Sequence, residues 1–131
     1  MEFVFKARVY YSDTDCGGIV YHSRYLDFAE HARTEMLRSA LPGMSQSALR
    51  DDGLIFVVKS IKIDYKRPAY LDDELTVVTR LGKAERFSAI FIQEIRRGDE
   101  VLTALEVKVA AISFKDKRIM MIPEEVIRAL S

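Results

Sequence analysis

Between Ser23 and Ala40 apolar residues recur at helical spacing, and from Val57 onward they alternate at strand spacing almost to the end of the chain. That one change of period restricts the fold more than any figure of composition. In the helical segment Tyr25, Phe28, Ala29, Ala32 and Met36 share a face, while Asp27, His31, Glu35 and Arg38 lie on another. Ser23 is the expected N-cap, and Leu41-Pro42-Gly43 the expected stop. Glu2 to Tyr11 reads as a first strand. After a short polar connection Val57, Ile61, Ile63 and Tyr65 alternate with Lys62, Asp64 and Lys66, and further strand runs follow at 74–81, 87–95 and 101–114. Gly82 and the charged residues after it mark one turn, Gly98-Asp99 a two-residue hairpin turn, and Pro123-Glu124-Glu125 the first turn of a short C-terminal helix. A helix apolar over much of its circumference needs a broad apolar surface, and a twisted antiparallel sheet supplies one. The expectation is an α+β fold in which a five-stranded, mostly antiparallel sheet wraps a long central helix.

At 131 residues one hydrophobic core is usual, so residues 1–131 read as a single domain. The longest apolar runs, VAAI at 109–112 and IMMI at 119–122, fall far short of the roughly 18 residues of a membrane span. The N-terminal MEFVFKARVY lacks the features of a signal peptide, which points to a cytoplasmic protein. Twenty basic and 20 acidic side chains balance, so no global field draws the chain to nucleic acid or an anionic membrane. One cysteine, Cys16, allows neither an intrachain disulfide nor a thiolate-rich zinc site.

Chemistry concentrates in DTDCGGIVYH, residues 13 to 22. A polar chain reversal between strand and helix explains the Asp, Thr and Gly residues. It leaves His22 and Tyr11 unexplained. A metal site would recruit Asp13, Asp15, His22 and either His31 or Glu35, but the His31/Glu35 spacing is also common on solvated helix faces. Cys16 as nucleophile would have His22 as its base, yet the acidic neighbours raise a thiol's pKa. A carboxylate reading uses more of the segment. An Asp leaves a strand, two glycines let backbone turn closely past a ligand, and a helix N-terminus offers N–H groups and a positive dipole end to an oxyanion. Those are the parts of an acyl-transfer site.

The run YYSDTDCGGIVYHSRYLDFAEHARTEML, 10 to 37, together with IDYKRPAYLDDELTV, 63 to 77, closely resembles the signature of hotdog-fold acyl-CoA thioesterases of the 4-hydroxybenzoyl-CoA thioesterase class, particularly its YbgC-like branch. The resemblance implies that Asp15, second of the D-x-D pair, is catalytic, with Tyr11 and His22 as its catalytic partners. It implies Gly18, Val20 and Tyr25 as substrate-lining signature positions. It also implies a homodimer or homotetramer with acyl-CoA in a cleft between subunits, and neither metal nor redox cofactor. Cys16 stands where relatives carry a small residue or Pro, so the resemblance gives it no chemistry. Glu30 is the runner-up carboxylate, because some hotdog thioesterases take theirs from the helix; otherwise it pairs on the helix surface with Arg33 or Thr34.

Hydrolysis of a thioester to a carboxylic acid and free coenzyme A is therefore expected, with the His22 N–H as oxyanion donor. Coenzyme A carries phosphates, and Lys59, Lys66, Arg67 and Arg86 near strand ends or turns are the candidates to meet them. Acyl carrier protein is the alternative carrier. Two other readings use the same cleft: a dehydratase acting on acyl carrier protein thioesters through His22 and Glu30, and a non-catalytic acyl-CoA-binding protein. The D-x-D-x-x-G-x-V-x-H spacing favours hydrolysis.

Overall fold

The computed structural model describes residues 1–40 and 43–131, so the expected helix stop at Leu41-Pro42 lies outside the described residues. Strand β1 spans Glu2–Arg8, helix α1 Arg24–Ala40, helix α2 Gln46–Asp51, strands β2 Leu54–Tyr65, β3 Glu74–Ala84, β4 Ser88–Arg97 and β5 Glu100–Ser113, and helix α3 Glu124–Leu130. The strands form one sheet in the order β1-β3-β4-β5-β2, with every neighbouring pair antiparallel. This is the hotdog arrangement of sheet and long helix.

Period-2 patterning sends alternate side chains of the strands toward α1. Leu75 and Val77 of β3, Phe91 and Ile95 of β4, and Leu105, Val107 and Val109 of β5 form one buried cluster with Tyr25, Phe28, Ala29, Ala32, Met36 and Leu37 of α1. Met36 is fully buried, and a side chain of its class contributes about 1.5–3 kcal/mol by leaving water. Gln93 is the polar exception beneath the helix. Its Nε2 donates to the Ala29 carbonyl and to Thr79 Oγ1, both at 2.9 Å, and its Oε1 accepts from Arg33 at 2.9 Å. A buried amide satisfied on both sides ties α1 to two strands without leaving an orphan group.

Four local expectations change. β1 ends at Arg8, and Tyr11–Asp13 form a 3₁₀ turn, because the Asp13 carboxylate and carbonyl are used to close the next loop rather than to extend a strand. α2 occupies part of the expected polar connection, capped by Ser45 Oγ accepting from Ala48 N at 3.1 Å. β2 begins at Leu54, earlier than Val57. Gly82 lies inside β3, at a register shift between Leu81 and Ala84, and a Cβ there would sit 3.1 Å from the Ile90 carbonyl. Close approach of the Ile90 carbonyl and the Ile92 side chain, rather than a turn, suits that glycine, while the turn itself falls at 85–87, among the charged residues after it. The hairpin at Gly98-Asp99 stands as expected, with Arg97 opposite Glu100 and Gly98 at φ +60.

Candidate active site

The D-x-D pair separates into two different environments. Asp13 is buried, its Oδ1 accepting from Arg24 Nε at 3.1 Å and Nη2 at 2.9 Å, and its Oδ2 from Tyr10 N at 2.8 Å. Both of its oxygens are consumed by structure. Asp15 is exposed; its Oδ1 accepts from Gly17 N at 2.8 Å, and among the described residues Oδ2 accepts from none. The loop that presents Asp15 is a miniature antiparallel ladder. Tyr21 N donates to Asp13 O, Thr14 pairs with Val20, and Asp15 N donates to Ile19 O at 2.9 Å. Gly18, at φ +80, turns the chain at the ladder's end. Asp15 thus stands two ladder steps beyond Tyr21, roughly 7 Å along the strand direction.

At the other side of the ladder α1 begins. Arg24 N donates to the Tyr21 carbonyl at 2.9 Å, so the trans peptide between Tyr21 and His22 aims its N–H away from the helix body. That His22 N–H makes no hydrogen bond among the described residues. The next carbonyl, of His22, accepts from the Tyr65 hydroxyl at 2.9 Å, and the His22 ring lies exposed with its centroid 4.4 Å from that of Tyr21. An unpaired amide at the positive end of a 17-residue helix, beside an exposed imidazole, can polarise a carbonyl.

The 66–73 turn backs this loop. Val20 N donates to Ala69 O at 2.9 Å, and Ala69 N donates in turn to the buried Tyr25 hydroxyl at 3.0 Å. Burial pushes the Tyr25 hydroxyl pKa above its ordinary range, the hydrogen bond from Ala69 partly opposing it. Asp73 Oδ2 accepts from Tyr70 N at 2.9 Å and from Arg97 at 2.7 Å, and the hydrogen bonds to Asp73 and Glu100 raise the Arg97 pKa.

The remaining expected site residues scatter. Val20 and Tyr25, each 3% exposed, sit in the core and make their described contacts within the protein. Tyr11 is 80% exposed. Lys66 and Arg67 leave β2 at the Asp15 end of the sheet, exposed, with Arg67 3.2 Å from Glu100. Arg86 lies in the β3–β4 turn at the opposite end, and Lys59 is exposed midway along β2. Glu30 accepts from the Thr34 hydroxyl at 2.9 Å on the helix surface. Among the described residues no three His, Cys, Asp or Glu side chains converge as a metal set; Asp13 is held by Arg24 and Glu35 by Arg38. Nor is any described helix long and apolar enough to cross a membrane.

A sequence model of the thioesterase-like superfamily matches residues 9–130. The chain belongs to that superfamily. It is 44% identical over 124 residues to the acyl-CoA thioesterase YbgC of Haemophilus influenzae, covering 95% of this chain and 90% of that protein. The probable thioesterase of Bartonella henselae superposes with a TM-score of 0.88 at 35% identity, covering 94% of this chain and all of that one. A 1,4-dihydroxy-2-naphthoyl-CoA thioesterase of Synechocystis shares the fold at a TM-score of 0.90 and 21% identity. Within this thioesterase-like chain, the supports that sequence reasoning missed are Arg24, Tyr65, Ala69, Asp73 and Arg97. Only Arg24 left a local trace, as a cation one helical turn from Asp27 and close in sequence to Asp13.

Proposed function

We propose that this protein hydrolyses acyl-CoA thioesters, with Asp15 as the catalytic carboxylate. One observation carries the reading: of two aspartates two residues apart, Asp13 spends both oxygens on structure, while Asp15 keeps one oxygen oriented by Gly17 N and the other open. The YbgC name of the Haemophilus relative supports the acyl-CoA substrate. The thioester carbonyl would lie between Asp15 and the His22 N–H, which donates to the developing oxyanion. Asp15 then takes a proton from water as the water oxygen bonds to the acyl carbon, and the C–S bond breaks to release coenzyme A as its thiolate. Alternatively an Asp15 oxygen bonds to the acyl carbon as the C–S bond breaks and coenzyme A leaves as its thiolate, and water then cleaves the mixed anhydride to the product acid and the free Asp15 carboxylate, its proton passing to the thiolate. The His22 ring and Tyr11 would orient water or thioester from the exposed side. Lys66 and Arg67, at the Asp15 end, are better placed for coenzyme A phosphates in the same subunit than Arg86; Gly18 lets the ligand pass close to the loop. A homodimer sharing this cleft, paired further into a tetramer, completes the proposal.

Asp15→Asn keeps the oxygen that accepts from Gly17 but loses the base and nucleophile. Turnover of an acyl-CoA panel, followed by thiol release, should fall about 10²-fold or more, in kcat rather than KM. Near-normal kcat in this variant together with an inactive Glu30→Gln would transfer the role to the helix acid. In a single turnover in ¹⁸O-water, label found in Asp15 demonstrates the anhydride route with water attacking the Asp15 carbonyl carbon, since general-base hydrolysis leaves none there.

A further inference from the structure

A backbone N–H that is to meet an oxyanion must hold one direction, and it has no side-chain rotamer to lock. Its direction follows from the soft φ and ψ torsions that join rigid peptide planes. The plane that carries the His22 N–H is held at its oxygen, since Arg24 N donates to Tyr21 O at 2.9 Å. That bond closes one local turn and leaves the next plane free. The His22–Ser23 peptide gets no help from the helix, because Leu26 N, the donor a regular turn would offer to His22 O, bonds to Ser23 O at 3.1 Å instead. Its partner comes from 43 positions away: the Tyr65 hydroxyl donates to His22 O at 2.9 Å. With an oxygen pinned on each side of the His22 Cα, both of that residue's torsions are fixed and its N–H keeps its aim.

Tyr65 is itself anchored. It ends β2 opposite Thr103 of β5, and the next amide, Lys66 N, donates to Leu102 O at 2.8 Å. Its ring meets the buried Tyr25 ring edge-on with centroids 5.6 Å apart, and it stands at 88° to the His22 ring with centroids 6.5 Å apart. One side chain on a sheet strand thus touches both the carbonyl and the imidazole of His22. We infer that Tyr65 is the positioning residue of the oxyanion site, its hydroxyl acting on the reaction through the aim of the His22 amide. This rests on the thioester-hydrolysis reading and adds the residue that sets up its electrostatics.

Tyr65→Phe removes the hydroxyl and keeps both ring contacts. Losing an oxyanion donor outright costs about 10²–10³-fold in kcat, so loosening its aim should cost a part of that, about tenfold, with KM within about twofold. A ketone isostere of acetyl-CoA, with CH2 in place of the thioester sulfur and ¹³C at the carbonyl, reads the amide without turnover. Bound to wild type, its carbonyl resonance should lie downfield of the free ligand's, because a donor aimed at the oxygen polarises the bond. In Tyr65→Phe that displacement should shrink by at least half, while Kd by calorimetry stays within about threefold. An undiminished displacement overturns the assignment whatever happens to turnover, and so does a raised KM with kcat unchanged. A wild type that shifts the ketone carbonyl in this Tyr65-dependent way yet hydrolyses no thioester overturns the proposed reaction and leaves the hold of Tyr65 on the His22 amide in place.

Discussion

Two carboxylates two positions apart look alike in a string of letters, and their chemistry diverges only through their partners. Asp13 neutralises Arg24 and caps Tyr10 N in a setting where its own side chain is 9% exposed. Asp15 keeps solvent access. Removing Asp13 takes two charged hydrogen bonds from Arg24, which keeps only Asp27 among the described residues, and leaves the Tyr10 N–H unpaired; hydrogen bonds to charged groups contribute about 1.5–3 kcal/mol each. Asp13→Ala should therefore lower the urea unfolding free energy by about 2–4 kcal/mol, whereas Asp15→Asn should stay within about 0.5 kcal/mol of wild type. Equal losses in the two variants would mean that the pair shares one structural role. The D-x-D spacing and the helix start were legible in sequence, because both are local. Which aspartate is tied down was not, since it depends on a guanidinium 11 positions away.

At the scale of elements, the helical and strand periods located α1, the sheet and the Gly98-Asp99 hairpin, while departures arose where a long-range contact overrode a local signal. Gly82 carries a turn residue's identity, but the Ile90 carbonyl across the register shift explains it. Ser45 could have announced α2, yet six residues are too few for a clear helical period. The tie between α1 and the 66–73 turn was invisible too, because Tyr25 and Ala69 lie 44 positions apart. Its consequence is measurable with pH. Burial raises the Tyr25 pKa in the folded state, so the native protein binds that proton more tightly than the unfolded chain does. The resulting stability is present in full below the unfolded tyrosine pKa, about 10, and declines as pH rises through the folded value. The thermal midpoint of wild type should therefore fall more steeply above pH 10 than that of Tyr25→Phe, with the two slopes parallel from pH 7 to 9. Identical slopes above pH 10 would show that Tyr25 stays open to solvent in the native state.

For the whole molecule, the question is what meets the free edge of β2. β1 is the other edge, and it is short, seven residues, with Lys6 and Arg8 paired to Glu74 of its neighbour β3. β2 runs for 12 residues, bonded on one side to β5, and leaves Val58, Ile61 and Tyr65 between 38% and 49% exposed. A long edge with apolar side chains recruits another strand, and a second copy pairing antiparallel through β2 would close it about a two-fold axis. The same join would bring the second subunit toward the side of α1 that carries Glu30 and Arg33, which line one cavity with Phe56 and Val58 of β2. Sedimentation at assay concentration should show dimers or tetramers. Val58→Lys with Ile61→Lys, which places two charges on that edge, should shift the population to monomer and lower kcat/KM at least tenfold while far-UV circular dichroism is retained. A charged-edge monomer with full activity would sink the shared cleft and confine the catalytic site to one chain.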